Sequence, residues 1–223
     1  MKRYLIIFVT LLLVNCQTSK KNIFLIGDSI SIEYTPYLKE DIKSFANLER
    51  KEDDGLALQD LDTPMGSNGG DSQMVLNYLQ YKIKEPEFTP DYVMLNCGLH
   101  DIKRNPQTNV IQIDENSYCM NLTKIFSLLK DKGIQPIWIR STWVVDSIHN
   151  AKSKAFYRYN ADIKRYNKIA DSICLKNDIP IIDLYGFTQK QGVGQIRDHI
   201  HYTQETQKKQ AGFIAENLKK YIK

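Results

Sequence analysis

Apolar residues recur along this chain in two rhythms. Short solid runs at 22–26, 91–97, 134–139 and 179–184 have the pattern of strands buried on both faces, and Gly, Pro or Asp punctuates their ends. A weaker run at 47–51 is a further strand candidate. Between the runs, apolar positions fall at helical spacing. The segment 32–45 reads as a helix with Pro36 near its start. The segment 72–84 carries Met74, Val75, Tyr78 and Leu79 on one face. The segment 114–132 carries Cys119, Leu122, Ile125, Phe126 and Leu129 and is closed by Gly133. Two more helices are predicted, a long one over 151–177 and a final one over 203–222. The stretch 56–71 is rich in Gly, Asp, Asn and Pro and predicts a loop. This strand–helix alternation argues for a mostly parallel sheet with helices on both faces. Ligands of such sheets sit outside the carboxyl ends of the strands, which directs attention to the loops after Ile26, Asn96 and Leu184.

The first residues break the pattern. Lys2 and Arg3 precede an almost wholly apolar run from Tyr4 to Val14, and polar residues begin at Asn15. A charged start and an apolar run too short to span a bilayer comfortably describe an export signal over 1–15. The signal ends in Leu13-Val14-Asn15-Cys16, which resembles the lipobox of bacterial lipoproteins, with Asn15 where a small residue is usual. That resemblance implies lipidation of Cys16, a short tether over 16–21 and a single domain over 22–223.

Composition narrows the function classes. The chain has 223 residues, 42% hydrophobic and 25% charged, which suits one globular domain with a full core. The net charge is +4, and Lys2 and Arg3 supply two of those charges. The remaining lysines are scattered rather than striped, so no nucleic-acid partner is expected. Apart from Cys16, three cysteines remain; Cys97 and Cys174 lie in apolar runs and read as small buried hydrophobes.

Four short segments carry candidate chemistry. Gly27-Asp28-Ser29 follows the first strand run; a serine there is exposed at a strand-to-helix turn, where helix amides can hold an anion. On these residues alone, Asp28 or Ser29 as a plain helix cap is the competing reading. Asp198-His199-Ile200-His201 places a carboxylate and an imidazole three residues apart, the spacing at which Asp can orient His. Its alternatives are a solvated histidine or a metal site, and the sequence lacks the wider ligand cluster a metal would need. Asn68-Gly69-Gly70-Asp71-Ser72 and Gly98-Leu99-His100-Asp101 lie in predicted loops on the same sheet edge, where glycine amides and polar side chains can donate to a substrate oxygen.

Together the four resemble the GDSL/SGNH hydrolases, in order and spacing, over nearly the whole exported chain. The resemblance implies a flavodoxin-like three-layer α/β/α sandwich with a mostly parallel central sheet. It assigns Ser29 as nucleophile, His201 (not His199) as base and Asp198 as its orienting carboxylate. The amides of Ser29 and Gly70 would form the oxyanion hole. The family's third segment is Gly-x-Asn-Asp, whose Asn donates to the oxyanion. Here His100 stands in that position, a form shared, with the Ser31–Tyr37 segment, by a bacterial branch of the family. The implied activity is hydrolysis of small acyl esters, acetyl first, on carbohydrate, through an acyl-enzyme and without metal or cofactor. Lysophospholipid or thioester hydrolysis, or a non-catalytic glycan-binding envelope lipoprotein, are the alternatives. The partner expected is a small-molecule or glycan ester. The expected location is the bacterial cell envelope, touching membrane only through the lipid at Cys16.

Overall fold

The computed structural model describes residues 19–53 and 55–222; the predicted export signal and Cys16 lie outside them. Five strands, β1 (Lys21–Ile26), β2 (Ala46–Arg50), β3 (Tyr92–Leu95), β4 (Gln135–Ile139) and β5 (Ile181–Ile182), form one sheet in the order β2-β1-β3-β4-β5. All four pairings are parallel, and β1 meets β3 in the register Ile23↔Tyr92 through Ile26↔Leu95. This is the flavodoxin-like order expected from the resemblance, with its switch point between β1 and β3. The helices are α1 (Ser29–Ile42), α2 (Ser72–Lys82), α3 (Glu115–Asp131), α4 (Asp146–Lys152), α5 (Asn160–Lys176), α6 (Leu184–Gln191) and α7 (Gln204–Tyr221). Among the described residues, no helix is long and apolar enough to cross a membrane.

The apolar runs sit where both-face burial requires them. Leu25, Ile26, Val93, Met94, Ile137 and Trp138 are at 0% exposure, walled by Leu38, Leu79, Leu122 and Ile214 from the helices. Each such side chain contributes roughly 1.5–3 kcal/mol by leaving water. Four helix starts are fixed by carboxylate caps: Asp28, Asp71, Asp114 and Asp183 each accept an amide from the first turn that follows. An anionic cap also meets the positive end of the helix dipole.

Three expectations change. The helix over 32–45 begins earlier, at Ser29, because Asp28 caps it, and Pro36 falls in its interior. The long helix over 151–177 is two, α4 and α5. Between them Tyr157 and Arg104 exchange backbone hydrogen bonds of 2.9 Å in both directions, an antiparallel bridge that pulls 153–159 out of helix. The strand over 179–184 shrinks to Ile181–Ile182. Pro180 has no N–H to give a ladder, and the Asp183 side chain caps α6, accepting from Gly186 N at 2.9 Å.

Candidate active site

The site gathers at the carboxyl end of the sheet. Gly27 and Asp28 connect β1 to α1, and Ser29 is the first residue of the helix. Asp28 Oδ1 accepts from the amides of Ile30 (3.1 Å) and Ser31 (3.4 Å). The capping role is therefore real, and it belongs to Asp28, which leaves Ser29 at the helix mouth. The Ser29 amide, at the first helical position, has no intrahelical acceptor. Gly27 is required by space: a Cβ there would stand 2.7 Å from Ser31 Oγ.

The second segment meets the first across 172 residues of sequence. Ser29 Oγ lies 2.8 Å from His201 Nε2, and His201 Nδ1 lies 2.9 Å from Asp198 Oδ2. Asp198 Oδ1 accepts from the amides of His199, Ile200 and His201, so one local turn satisfies both carboxylate oxygens. Burial pushes the Asp198 carboxyl up, but the hydrogen bond from His201 and the amides of the turn outweigh it and hold the group well below the usual carboxylate range. An ionised Asp198 only accepts, so His201 carries its proton on Nδ1 and offers the Nε2 lone pair to the Ser29 hydroxyl. Arg197 braces the turn, reaching Glu33 on α1 at 2.7 Å and Asp198 at 3.3 Å.

His199 points elsewhere. Its Nε2 is 3.0 Å from Asp62 Oδ2 and its Nδ1 is 3.0 Å from His149 Nδ1 on α4. Burial, then the charge of Arg158, pushes His149 down to about 3. A neutral His149 donates Nδ1–H to His199, which donates Nε2–H to Asp62. This chain ties the 56–71 loop, the 198–201 turn and α4 together. One ligand atom each from Asp198, His199 and His201 falls within 4.8 Å of the others, yet the ring nitrogens of both histidines are already engaged in these hydrogen bonds. His199→Ala strands the buried His149 ring, a loss costing about 1–3 kcal/mol, while the partly exposed Asp62 turns to water. The expected result is a melting temperature lower by about 2–4 °C per kcal/mol, with faster proteolysis inside 56–71.

The third segment brings Gly69 and Gly70 to the same edge. Gly69 N donates to Gly27 O at 2.8 Å, and a Cβ on Gly69 would press on that carbonyl at 3.1 Å. Gly70 has φ +74, and a Cβ there would meet Met74 Sδ at 2.6 Å and Pro64 Cβ at 3.0 Å. Its amide donates to Asn68 Oδ1 at 3.0 Å. Gly70 lies in the predicted loop, and its N–H, expected to serve the oxyanion, is held here by the Asn68 side chain. Gly70→Ala puts an L residue in the left-handed region and crowds Pro64; a loss of about 1–3 kcal/mol in stability is expected, read as a fall in melting temperature.

The fourth segment, which departs from the resemblance at His100, is buried throughout. His100 is 2% exposed, its Nδ1 is sealed from solvent without a partner, and its ring makes no hydrogen bond among the described residues. Burial, then the charges of Lys103, Arg158 and His201, pushes the imidazole well below its ordinary value, so it is neutral and carries one N–H. Asp101 Oδ1 accepts from Ser72 N at 2.9 Å, joining this loop to α2, and burial pushes its carboxyl up to about 7. Cys97 and Cys174 are buried free thiols, as expected, both pushed up by burial.

Sequence reasoning missed Arg158, Lys103, Asp62 and His149, which also gather here. Each lies outside the four segments, and Arg158 fell inside the helix predicted over 151–177.

A family model described as GDSL-like Lipase/Acylhydrolase matches residues 25–209. No curated protein sequence is significantly similar to the chain. Among solved structures, a lipase/acylhydrolase from Enterococcus faecalis is similar at 20% identity and a TM-score of 0.67, covering 91% of this chain and 97% of that one. An acetyl xylan esterase is similar at 16% identity and a TM-score of 0.63, covering 91% and 100%. A psychrotrophic esterase of a Pseudoalteromonas species, in a form inhibited by monoethylphosphonate, is similar at 12% identity and a TM-score of 0.65, covering 91% and 99%. At these identities the structures speak for the fold.

Proposed function

Because the chain belongs to the GDSL-like lipase/acylhydrolase family, and so to the ester-cleaving hydrolases, we propose that it removes small acyl groups, acetyl first, from carbohydrate through an acyl-enzyme on Ser29. The observation that carries this reading is the 2.8 Å contact between Ser29 Oγ and His201 Nε2, with Asp198 behind the ring. In the proposed mechanism His201 takes the Ser29 proton as Oγ attacks the ester carbonyl. The tetrahedral oxyanion receives the Ser29 amide, His100 and, once it leaves Asn68, the Gly70 amide. His201 then gives its proton to the leaving alcohol. Water, deprotonated by the same ring, attacks the acyl-enzyme, and Ser29 recovers its proton as the acid departs.

One observation favours a small acyl group on a sugar: an acetyl xylan esterase shares the fold over 91% of this chain. Export and lipidation at Cys16 remain part of the proposal: intact mass of protein recovered from membranes should show loss of 1–15 and added lipid, and Cys16→Ser should free the protein into the soluble fraction.

The test is labelling by a fluorophosphonate followed by peptide mapping, together with acetate release from acetylated xylan. Expected are one adduct at Ser29 and kcat/KM for p-nitrophenyl acetate above that for p-nitrophenyl octanoate. A protein that never labels at any pH is the binding lipoprotein instead. A preference for octanoate moves the substrate to lysophospholipid or long-chain thioester.

A further inference from the structure

Arg158 sits in the irregular stretch between α4 and α5 and is 2% exposed. Its Nε donates to Leu99 O at 2.7 Å, the carbonyl just before His100. Its Nη1 is sealed from solvent with no acceptor. The guanidinium lies 4.7 Å from the Phe156 ring centre, and the ammonium of Lys103 lies 4.3 Å from the same centre. Lys103 donates to the Asp62 carbonyl at 2.8 Å. Neither cation forms a salt bridge among the described residues. The Phe156 ring packs 5.7 Å from His149, which leads through His199 to His201. Two cations therefore share one phenyl ring against the loop that holds His100.

A buried charge without a counterion is strongly unfavourable, and two like charges together are more so. The strain is visible in the groups themselves: burial pushes Arg158 down to about 10, and burial with the charge of Arg158 pushes Lys103 down to about 8. The carboxylates that face them, Asp62 first, offset part of this charge without forming an ion pair with either group among the described residues. Asp62 Oδ2 is on His199, Asp71 accepts from Met74 N and Gln112, and Asp60 accepts from Thr63 and the Asp62 amide. Asp28 Oδ1 caps α1, and its Oδ2 is buried without a partner. Burial pushes the Asp28 carboxyl up, which weakens it as a counterion.

We infer that Lys103 and Arg158 form a receptor for an anionic oxygen group, a carboxylate or a phosphate, carried by the ester substrate beside the scissile bond. Lys103 keeps partial exposure and meets the ligand first; Arg158 supplies charge from within, and its fork suits a two-oxygen ligand. The inference deepens the esterase reading of the same site, narrowing the substrate to an acidic ester, and rests on it.

The test separates binding from turnover. Ser29→Ala protein is titrated calorimetrically with succinate and with inorganic phosphate, each against sodium chloride of equal ionic strength. Saturable binding of one of them supports the receptor, and the probe that binds identifies carboxylate or phosphate. Lys103→Met in the same background should weaken that binding by about ten-fold or more, the scale of a lost charge-assisted hydrogen bond. Arg158→Lys, which keeps the charge but loses the fork, should weaken it as well. If Arg158→Lys does not fold, Lys103→Met decides alone. In the active protein, Lys103→Met should lower the ratio of kcat/KM for a hemisuccinate ester over its neutral acetate counterpart by a similar factor. No binding of either anion overturns the receptor and assigns the charge of Arg158 to internal balance by Asp62 and Asp28. Binding unchanged in Lys103→Met overturns it as an adventitious ion only. Binding by a protein that hydrolyses no ester would keep the receptor and sink the esterase reading; ester hydrolysis without anion binding would do the reverse.

Discussion

Ser29→Ala lowers kcat for p-nitrophenyl acetate by about 10⁴-fold or more, with the fold intact, because the covalent route is lost. The mechanism runs through one hydroxyl whose proton has one place to go, the Nε2 atom 2.8 Å away. His201→Ala should fall nearly as far, and the double variant little further, since the groups act as a unit. Asp198→Asn should leave the contact distances in place yet lose much of the rate. An amide can offer N–H to His201 Nδ1, which moves the ring proton to Nε2 and turns it toward Ser29 as a donor. Active-site titration with a fluorophosphonate fixes the concentration of wild type and Asp198→Asn, and absorbance of folded protein fixes it for Ser29→Ala and His201→Ala. A His201→Ala protein with ordinary turnover, or a Ser29→Ala protein that still burst-labels, would sink this assignment. The pH profile carries a further check. Asp198 is held well below the usual carboxylate range, so it stays charged as pH falls toward 5. The loss of rate over that interval should not coincide with any loss of charge at Asp198.

The parts of this site that could be read from sequence are those whose neighbours in the chain are also their physical partners. Asp198 and His201 share one turn, and Gly27-Asp28-Ser29 is a strand end passing into a helix, so spacing alone names the groups. The meeting of Ser29 with His201 came only from the family resemblance, because 172 residues separate them. Gly70 was legible as a glycine, but not the Asn68 side chain that holds its amide at 3.0 Å; an amide's acceptor is not encoded by spacing. Arg158 was invisible for a different reason. Residues 151–177 contain neither Gly nor Pro, so local preference runs on as helix. What interrupts it is the bridge between Tyr157 and Arg104, a pairing over more than fifty residues that overrides propensity. His149 and Asp62 share that fate, since each gains meaning only through His199.

His100→Ala lowers kcat by about 10²–10³-fold with a smaller change in KM, the loss expected of one donor aimed at charge that exists only in the transition state. Two observations put weight on this residue. The Gly70 amide is engaged by Asn68, so until it is released the oxyanion draws on the Ser29 amide and on the side chain at position 100. His100 Nδ1 is sealed and unpartnered, so a proton there would be a buried donor without an acceptor; the proton is better placed on Nε2, the nitrogen that remains for a ligand. The sign of the pH effect follows. Burial and the nearby cations hold the imidazole well below its ordinary value, so it stays neutral across the working range and its N–H count does not change. The ratio of wild-type to His100→Ala kcat should therefore be flat between pH 6 and 9. His100→Asn should restore part of the rate, since an amide donates from a similar place. Were His100 only a packing element of its loop, His100→Ala would lower the melting temperature while the folded, titrated fraction kept its kcat. His100→Gln or His100→Asn would then rescue stability and not rate. A kcat per titrated site equal to wild type removes His100 from the mechanism, and the rate must then come from the Ser29 amide and from Gly70 after it has let go of Asn68. That second route predicts its own signature: Asn68→Ala, by freeing the Gly70 amide, would raise kcat rather than lower it.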